Sequence, residues 1–295
     1  IGTKGGLDRY NPATGRFRHF FSRQEGSINH PWVFFITEDF RGDLWFGTFA
    51  GLARYNRADD RFINYTDAPF LNSNSIRYIL EDRNRDLWIA TEGAGITHLR
   101  RDTTGGVYDR FNPVHYRFNE HDMNSLINDL VLSLQEDEYG FIWIGTNSGL
   151  CRLDPQTGDF LRFSVATGFP DDLIMGMIAD HKGHVWISHK KGITRMNTQS
   201  LKTRTYNRYD GLQGDEFLQN ACFYNPQTGE IFFGGTRGVN YFFPDQIKPV
   251  SGIPSPVLTS LHVLNQQLFP GVEIGGRMVL EKSLLMTRDI ELKHA

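Results

Sequence analysis

The stretch "LWFGTFAGLARYN", residues 44–56, returns almost unchanged as "IWIGTNSGLCRLD" at residues 142–154. In both, an aromatic between aliphatics leads into Gly-Thr, and a Gly-Leu pair follows after a short gap. The central aromatic recurs at Trp45, Trp88, Trp143, Trp186 and Phe232, at spacings of 43, 55, 43 and 46 residues. A small residue stands two positions on, at Gly47, Ala90, Gly145, Ser188 and Gly234. Then come Gly51-Leu52, Gly95-Ile96, Gly149-Leu150, Gly192-Ile193 and Gly238-Val239, and the chain start fits the same frame with Gly2-Thr3 and Gly6-Leu7. Six residues before four of the aromatics stands an aspartate: Asp39, Asp82, Asp137 and Asp180. A glycine lies between, at Gly42, Gly140 and Gly183; Arg85 interrupts that pattern, and the last copy turns differently through "YNPQTGEIF".

Each copy reads as four strands. "VFFITED" (33–39) is an apolar run ending in a turn, "DLWFGT" (43–48) a second strand, "GLARYN" (51–56) a third opened by a conformationally free glycine, and "RFINYT" (61–66) an alternating fourth. "NPATG" (11–15) and "DPQTG" (154–158) carry turn chemistry. The 55-residue spacing holds an insertion at "RRDTTGGVYDRFNPVHYRF" (100–118), which lengthens the hairpin between a third and a fourth strand. One such unit cannot bury both its faces, whereas a ring of them can. Four-stranded units of about 43 residues have the period of a propeller blade. The sequence therefore predicts an all-β chain, a β-propeller of four-stranded blades over residues 1–250. About six blades are represented, the first lacking its first strand and the last its fourth. An open ring exposes strand edges, and the opening "IGTKGGLDRYN" reads as the middle of a unit, so upstream blades are expected.

Composition agrees. The 295 residues are 39% apolar and 13% aromatic, with 30 Gly, a mixture suited to short strands joined by tight turns. A net charge of −3 and a pI near 6.4 supply no basic footprint for nucleic acid. No apolar run has the length of a membrane-spanning helix, and no signal peptide opens the chain. Cys151 and Cys222 sit in apolar strand-like runs and read as small buried hydrophobes, not as a disulfide framework.

"NSIRYILEDRNRDLWIATEGAGI" and "LINDLVLSLQEDEYGFIWIGTNSGLCRLDPQTGDF" resemble the propeller repeats of two-component regulators. "GDEFLQNACFYNPQTGEIFFGGTRGVNYFFPDQI" is similar to the closing repeat of such propellers, and "PSPVLTSLHVLNQQLFPG" to the start of the immunoglobulin-like three-tyrosine domain that follows them. The resemblance implies that residues 254–295 begin a β-sandwich, with strands at "PVLTSLHVL", "RMVLE" and "IELKH". It further implies a periplasmic sensor region of an inner-membrane receptor, without enzymatic activity or cofactor. The receptor's kinase, cyclase or DNA-binding output would lie beyond a membrane helix outside this chain. Its partners would be an unidentified small molecule or glycan, those output domains and, in a dimeric receptor, a second copy.

Antiparallel order places the loops between second and third strands on the same face as the links between blades, around the channel mouth. Rigidly held loops there are the candidates for recognition: Trp32, Phe49, Arg77, Glu92, Asn128, Asn147, His189, Lys190 and Arg237, with His30, Lys191, Asp171 and Asp172 beside them. "SHKKG" (188–192) replaces the Gly-Thr of its sister copies and concentrates positive charge, and Trp32 offers a face for a sugar ring. The aspartate that recurs once per copy reads as a turn-capping carboxylate. No His-Glu-x-x-His or Gly-x-Ser-x-Gly pattern is present, and the oxygen ligands of "DFRGD" and "DRNRD" are too few for a full calcium shell. Two other functions fit a propeller: a lyase or hydrolase acting on a polysaccharide or lactone, and a structural module that mediates dimerisation.

Overall fold

Short alternating segments separated by Gly and Asn/Asp turns fold back on their neighbours in chain order, and each group of neighbours makes one antiparallel sheet. The computed structural model describes residues 1–21, 26–102, 111–247, 260–263, 266–274, 277–278 and 280–283. The first sheet pairs Leu7–Asn11 with Arg16–Phe20. Four sheets of four strands follow: the second sheet, Val33–Glu38, Leu44–Thr48, Gly51–Asn56 and Arg61–Tyr65; the third, Ile76–Glu81, Leu87–Thr91, Ile96–Arg101 and Phe111–Tyr116; the fourth, Val131–Glu136, Ile142–Thr146, Leu150–Leu153 and Phe160–Phe163; the fifth, Gly176–Ala179, His184–His189, Gly192–Asn197 and Thr203–Tyr206. The sixth has three, Phe217–Tyr224, Ile231–Gly235 and Gly238–Phe242, and ends in a 3-10 turn at Pro244–Gln246. First strands of successive sheets lie side by side about a common axis, so the protein is a β-propeller. Phe35 and Tyr78 touch there at 3.9 Å between ring centroids, and Asn220 of the sixth sheet donates to the Leu132 carbonyl of the fourth at 3.1 Å. Residues 1–246 form one compact unit and 247–295 a second. In the second unit the hairpins His262–Val263/Gln266–Gln267 and Glu273–Ile274/Arg277–Met278 are described. The strand expected at "IELKH" (290–294) lies outside the described residues. Among the described residues no helix is long and apolar enough to cross a membrane.

The tryptophans hold the sheets together. Trp45, Trp88, Trp143 and Trp186 are all fully buried. Trp45 and Leu52 of the second sheet pack on Ile79, Leu87, Ile89 and Leu99 of the third. Trp88 and Ile96 pack on Leu134, Ile142, Ile144 and Leu153 of the fourth, and Trp143 and Leu150 on Met177, Val185, Ile187 and Met196 of the fifth. The core is thus a series of layers between sheets, closed by one indole each from the second sheet onward, whereas Phe20, Phe46 and Phe62 fill the layer between the first and second sheets.

An indole N–H so deeply buried needs an acceptor, and the recurrent aspartate supplies it. One carboxylate oxygen accepts the indole N–H at 2.8–3.0 Å in all four copies: Asp39 from Trp45, Asp82 from Trp88, Asp137 from Trp143 and Asp180 from Trp186. The other oxygen accepts the backbone amides two and four residues on, Tyr139 and Phe141 in the case of Asp137. The carboxylate therefore ties the turn between the first two strands to the ring that fills the interface. Its surroundings set its acidity. Burial pushes Asp137 above the usual carboxylate range despite the Trp143 bond. At Asp39 the same burial is overcome by hydrogen bonds from Trp45 and from the buried Arg101 guanidinium at 3.1 Å, and the group titrates low.

In the second to fifth sheets the glycine that opens the third strand is required by space as well as by dihedral. Gly51, Gly95, Gly149 and Gly192 have φ of +120°, +71°, +140° and +121°, and a Cβ on any of them would lie 2.0–2.6 Å from a carbonyl oxygen of the fourth strand. Cys151 and Cys222 are free thiols, each pushed up to about 12 by burial, which fits their reading as packing residues.

Asp137→Ala is expected to lower stability by about 3 kcal/mol, because it leaves a buried indole donor and two turn amides without their acceptor. Gly192→Ala is expected to cost at least about 2 kcal/mol through a left-handed φ and a backbone clash. Urea denaturation followed by tryptophan fluorescence measures both, and a loss below about 1 kcal/mol in either would contradict the assignment.

Candidate functional site

The first strands of the second, third and fourth sheets each carry an irregularity in register, between Val33 and Phe35, Ile76 and Tyr78, and Val131 and Ser133. Such bulges re-aim a side chain. The skipped residues are Phe34, Arg77 and Leu132, at the end of the strand that meets the blade links. The links are fastened to the loops between second and third strands by a repeated hydrogen bond: Phe49 N to Trp32 O, Glu92 N to Ser75 O, Asn147 N to Leu130 O and Thr236 N to Glu216 O, at 3.0–3.3 Å. Loops and links thus form one rim, on the face that strand order predicts.

On this rim the structure brings Trp32, Phe49, Arg77 and Glu92 into one continuous patch. Trp32 and Phe49, 40% and 46% exposed, meet edge to face with centroids 5.5 Å apart. His30 packs against Phe49 at 5.5 Å, and its Nδ1 accepts the Trp32 amide. Trp32 contacts Phe34 at 6.4 Å, and the Lys4 ammonium lies 5.5 Å from the Trp32 ring. The Arg77 guanidinium lies 4.1 Å from the Phe34 ring and is ion-paired with Glu92. Glu92 also accepts from Ser75 Oγ at 2.8 Å; burial works against its charge, but the Ser75 and Arg77 hydrogen bonds hold its carboxyl below the usual range. The patch spans two sheets and combines exposed aromatic faces, a fixed cation and a fixed anion. It is equipped to stack on a ring and to exchange hydrogen bonds with hydroxyl or carboxylate groups. Phe34 and Ser75 are members that the repeat pattern did not expose. The signal for Phe34 was its place in an aromatic run, but a strand aromatic reads as core until the bulge is seen.

The other candidates are arranged differently. Asn128 and Asn147 both contact Ser148, and Asn128 Oδ1 also accepts the Leu130 amide, so this pair is largely spent on loop geometry. Lys190 and Arg237 are exposed on the loops of the fifth and sixth sheets, where the Arg237 amide donates to Gln213. Lys191 Nζ donates to the Pro170 carbonyl, and Asp171 and Asp172 accept backbone amides of their own link. The His189 ring, in contrast, lies under the rim, fully buried. Its Nε2 meets Thr194 Oγ1 at 2.8 Å and its Nδ1 accepts the Lys191 amide at 3.1 Å. It fills the place of Thr48 and Thr146, whose hydroxyls accept the equivalent amides, and so carries the same loop hydrogen bond. At the opposite ends of these strands, Asp82, Asp86 and His98 form a group able to hold a metal ion.

The family model described as two component regulator propeller matches residues 71–93 and 125–148. Histidine kinase P4 of Formosa agariphila is 26% identical over 97% of this chain and 20% of its own length. The chain thus spans a fifth of the curated relative it matches. Two solved structures are extracellular domains assigned to hybrid two-component systems of B. thetaiotaomicron. That of BT4673 superposes with a TM-score of 0.65 at 22% identity, covering 91% of this chain and 35% of that one. That of BT3049 superposes at 0.60 and 23% identity, covering 72% and 28%. At such identities the structural likeness concerns the fold.

Burial moves the His189 imidazole down to about 4, with Lys191 adding to the effect and Asp171 opposing it. The unfolded chain, with an ordinary histidine, binds the extra proton at higher pH, so stability is full above about pH 6.5 and falls as pH drops toward 4. The expected loss is about 3 kcal/mol across that window. His189→Thr, the sister residue, is expected to fold and to lose this part of the acid sensitivity. Urea midpoints at pH 7 and pH 4.5 test it; equal acid shifts in both proteins would refute the assignment.

Proposed function

We propose that this chain is the ligand-sensing and signal-relay segment of a membrane-bound receptor of two-component type, on the periplasmic side of the inner membrane. The observation that carries this reading is the alignment of nearly the whole chain with a histidine kinase five times its length. The extracellular domains with the same fold support it. The kinase or other output domain belongs to the remainder of such a receptor.

The ligand seat proposed is the rim patch. Trp32 and Phe49 would take the apolar face of a sugar or similar ring, while Arg77 and Glu92 address its polar substituents. Because Arg77 belongs to the third sheet and lies on Phe34 of the second, a ligand that engages both sheets favours one packing of the pair over another. Differential affinity of that kind is what shifts a two-state equilibrium. The geometry favours binding over turnover: Arg77 and Glu92 are engaged with each other and His189 is buried, so this patch presents no poised acid–base pair.

A thermal-shift screen of the purified chain against mono- and oligosaccharides and sugar acids is expected to yield a ligand that raises the melting temperature. Trp32→Ala and Arg77→Ala are each expected to weaken it by tenfold or more, about 1.4 kcal/mol. Hits that survive both substitutions would remove the rim as the seat. Steady consumption of the ligand would favour a lyase or hydrolase, and an empty screen with concentration-dependent dimerisation would favour a structural module.

A further inference from the structure

The residue directly opposite each interface tryptophan, across the second and third strands, is Arg54 for Trp45, Arg152 for Trp143 and Arg195 for Trp186. In each case the guanidinium lies over the indole, 5.7–5.9 Å from its centroid. The third sheet departs from this pattern. His98 stands opposite Trp88 and stacks on it, with centroids 3.7 Å apart and planes within 12°. Where Arg54 reaches Asp43 at 3.6 Å, His98 Nε2 faces the equivalent Asp86 at 3.2 Å. The fourth and fifth sheets have Phe141 and His184 at the Asp86 position, so a pair of carboxylates opposite a histidine is peculiar to the third.

We propose that Asp82, Asp86 and His98 bind one divalent transition-metal ion of the zinc class. Their ligating atoms all lie within 4.8 Å of one another, and an ion with bonds of about 2.0–2.2 Å needs only small side-chain adjustments to reach all three. The side chains line a polar cavity of about 220 Å³ that Asn84, Gln156, Arg100 and the Arg83–Glu136 ion pair complete, with room for water in the shell. His98 is 4% exposed, and its Nδ1 makes no hydrogen bond among the described residues. The imidazole is mismatched in either neutral tautomer. With the proton on Nε2 it donates to Asp86 and leaves a buried lone pair at Nδ1. With the proton on Nδ1 that donor is orphaned, and two lone pairs face each other between Nε2 and Asp86. A cation bound at Nε2 takes the lone pair that would otherwise face Asp86, leaving the Nδ1–H as the single orphan, and restores the positive charge that arginine supplies in the sister sheets. Asp82 Oδ2 accepts one hydrogen bond, from Trp88, and keeps a lone pair for the ion. One nitrogen and carboxylate oxygens suit borderline divalent metals better than calcium, which prefers oxygen alone.

The test is calorimetric titration of the metal-stripped chain with zinc chloride at pH 7.5, with cobalt(II) as a second probe that quenches Trp88 through its stacked ligand. The wild-type chain is expected to bind one equivalent, raise its melting temperature with zinc and lose fluorescence with cobalt. His98→Arg restores the sister residue and so is expected to fold; Asp86→Asn is a second variant with its shape kept. Both are expected to weaken binding roughly tenfold or more, as loss of one ligand does. A wild-type chain that binds neither ion, or binding unchanged in the variants through other histidines such as His121, overturns the proposal.

Discussion

Everything in this propeller hangs on a hydrogen bond between a buried carboxylate and a buried indole. A tryptophan large enough to close the layer between two sheets brings an N–H into a place without water. The aspartate six residues earlier takes that proton donor with one oxygen and the amides of its own turn with the other. The turn that reverses the chain and the ring that joins the sheets are therefore one unit. Each copy is stable only in company, because the apolar surface its indole covers belongs to the next sheet.

The same turns reach further. The amides of Phe40 and Arg83, next in the chain to Asp39 and Asp82, donate at 2.9 Å to Glu81 and Glu136 of the following sheet. Burial raises both glutamates above their usual range, with Arg101 and Arg83 opposing it. The Glu-Asp pair that recurs in the sequence thus has two jobs, the Asp serving its own sheet and the Glu its predecessor. The fifth sheet, which has Ala179 in place of the glutamate, is joined by a different contact, Thr198 to Glu138 at 3.0 Å. Such ties hold one end of the propeller, leaving loops and links to vary at the other.

That division separates stability from recognition within each copy. At the tied end, substitution strands buried charges. At the rim, the link between sheets is held by backbone hydrogen bonds, which any side chain permits. Trp32, Phe49 and Arg77 are accordingly peculiar to their copies, and the patch they form is a property of two neighbours, not of the repeat.

The sequence alone determined the repeat, the four-strand unit, the face on which loops and links meet and the turn role of the aspartates. These follow from period, apolar alternation and turn chemistry, all local along the chain. Only the tertiary structure decided that Arg77 stacks on Phe34, since a bulge breaks the alternation that sequence reading assumes. It also sent His189 inward, where it substitutes for threonine, and set His98 beside Asp82 and Asp86 across a strand pair. Each of these depends on which side chains from separate strands share one buried volume, a matter of packing between sheets that no spacing along the chain encodes.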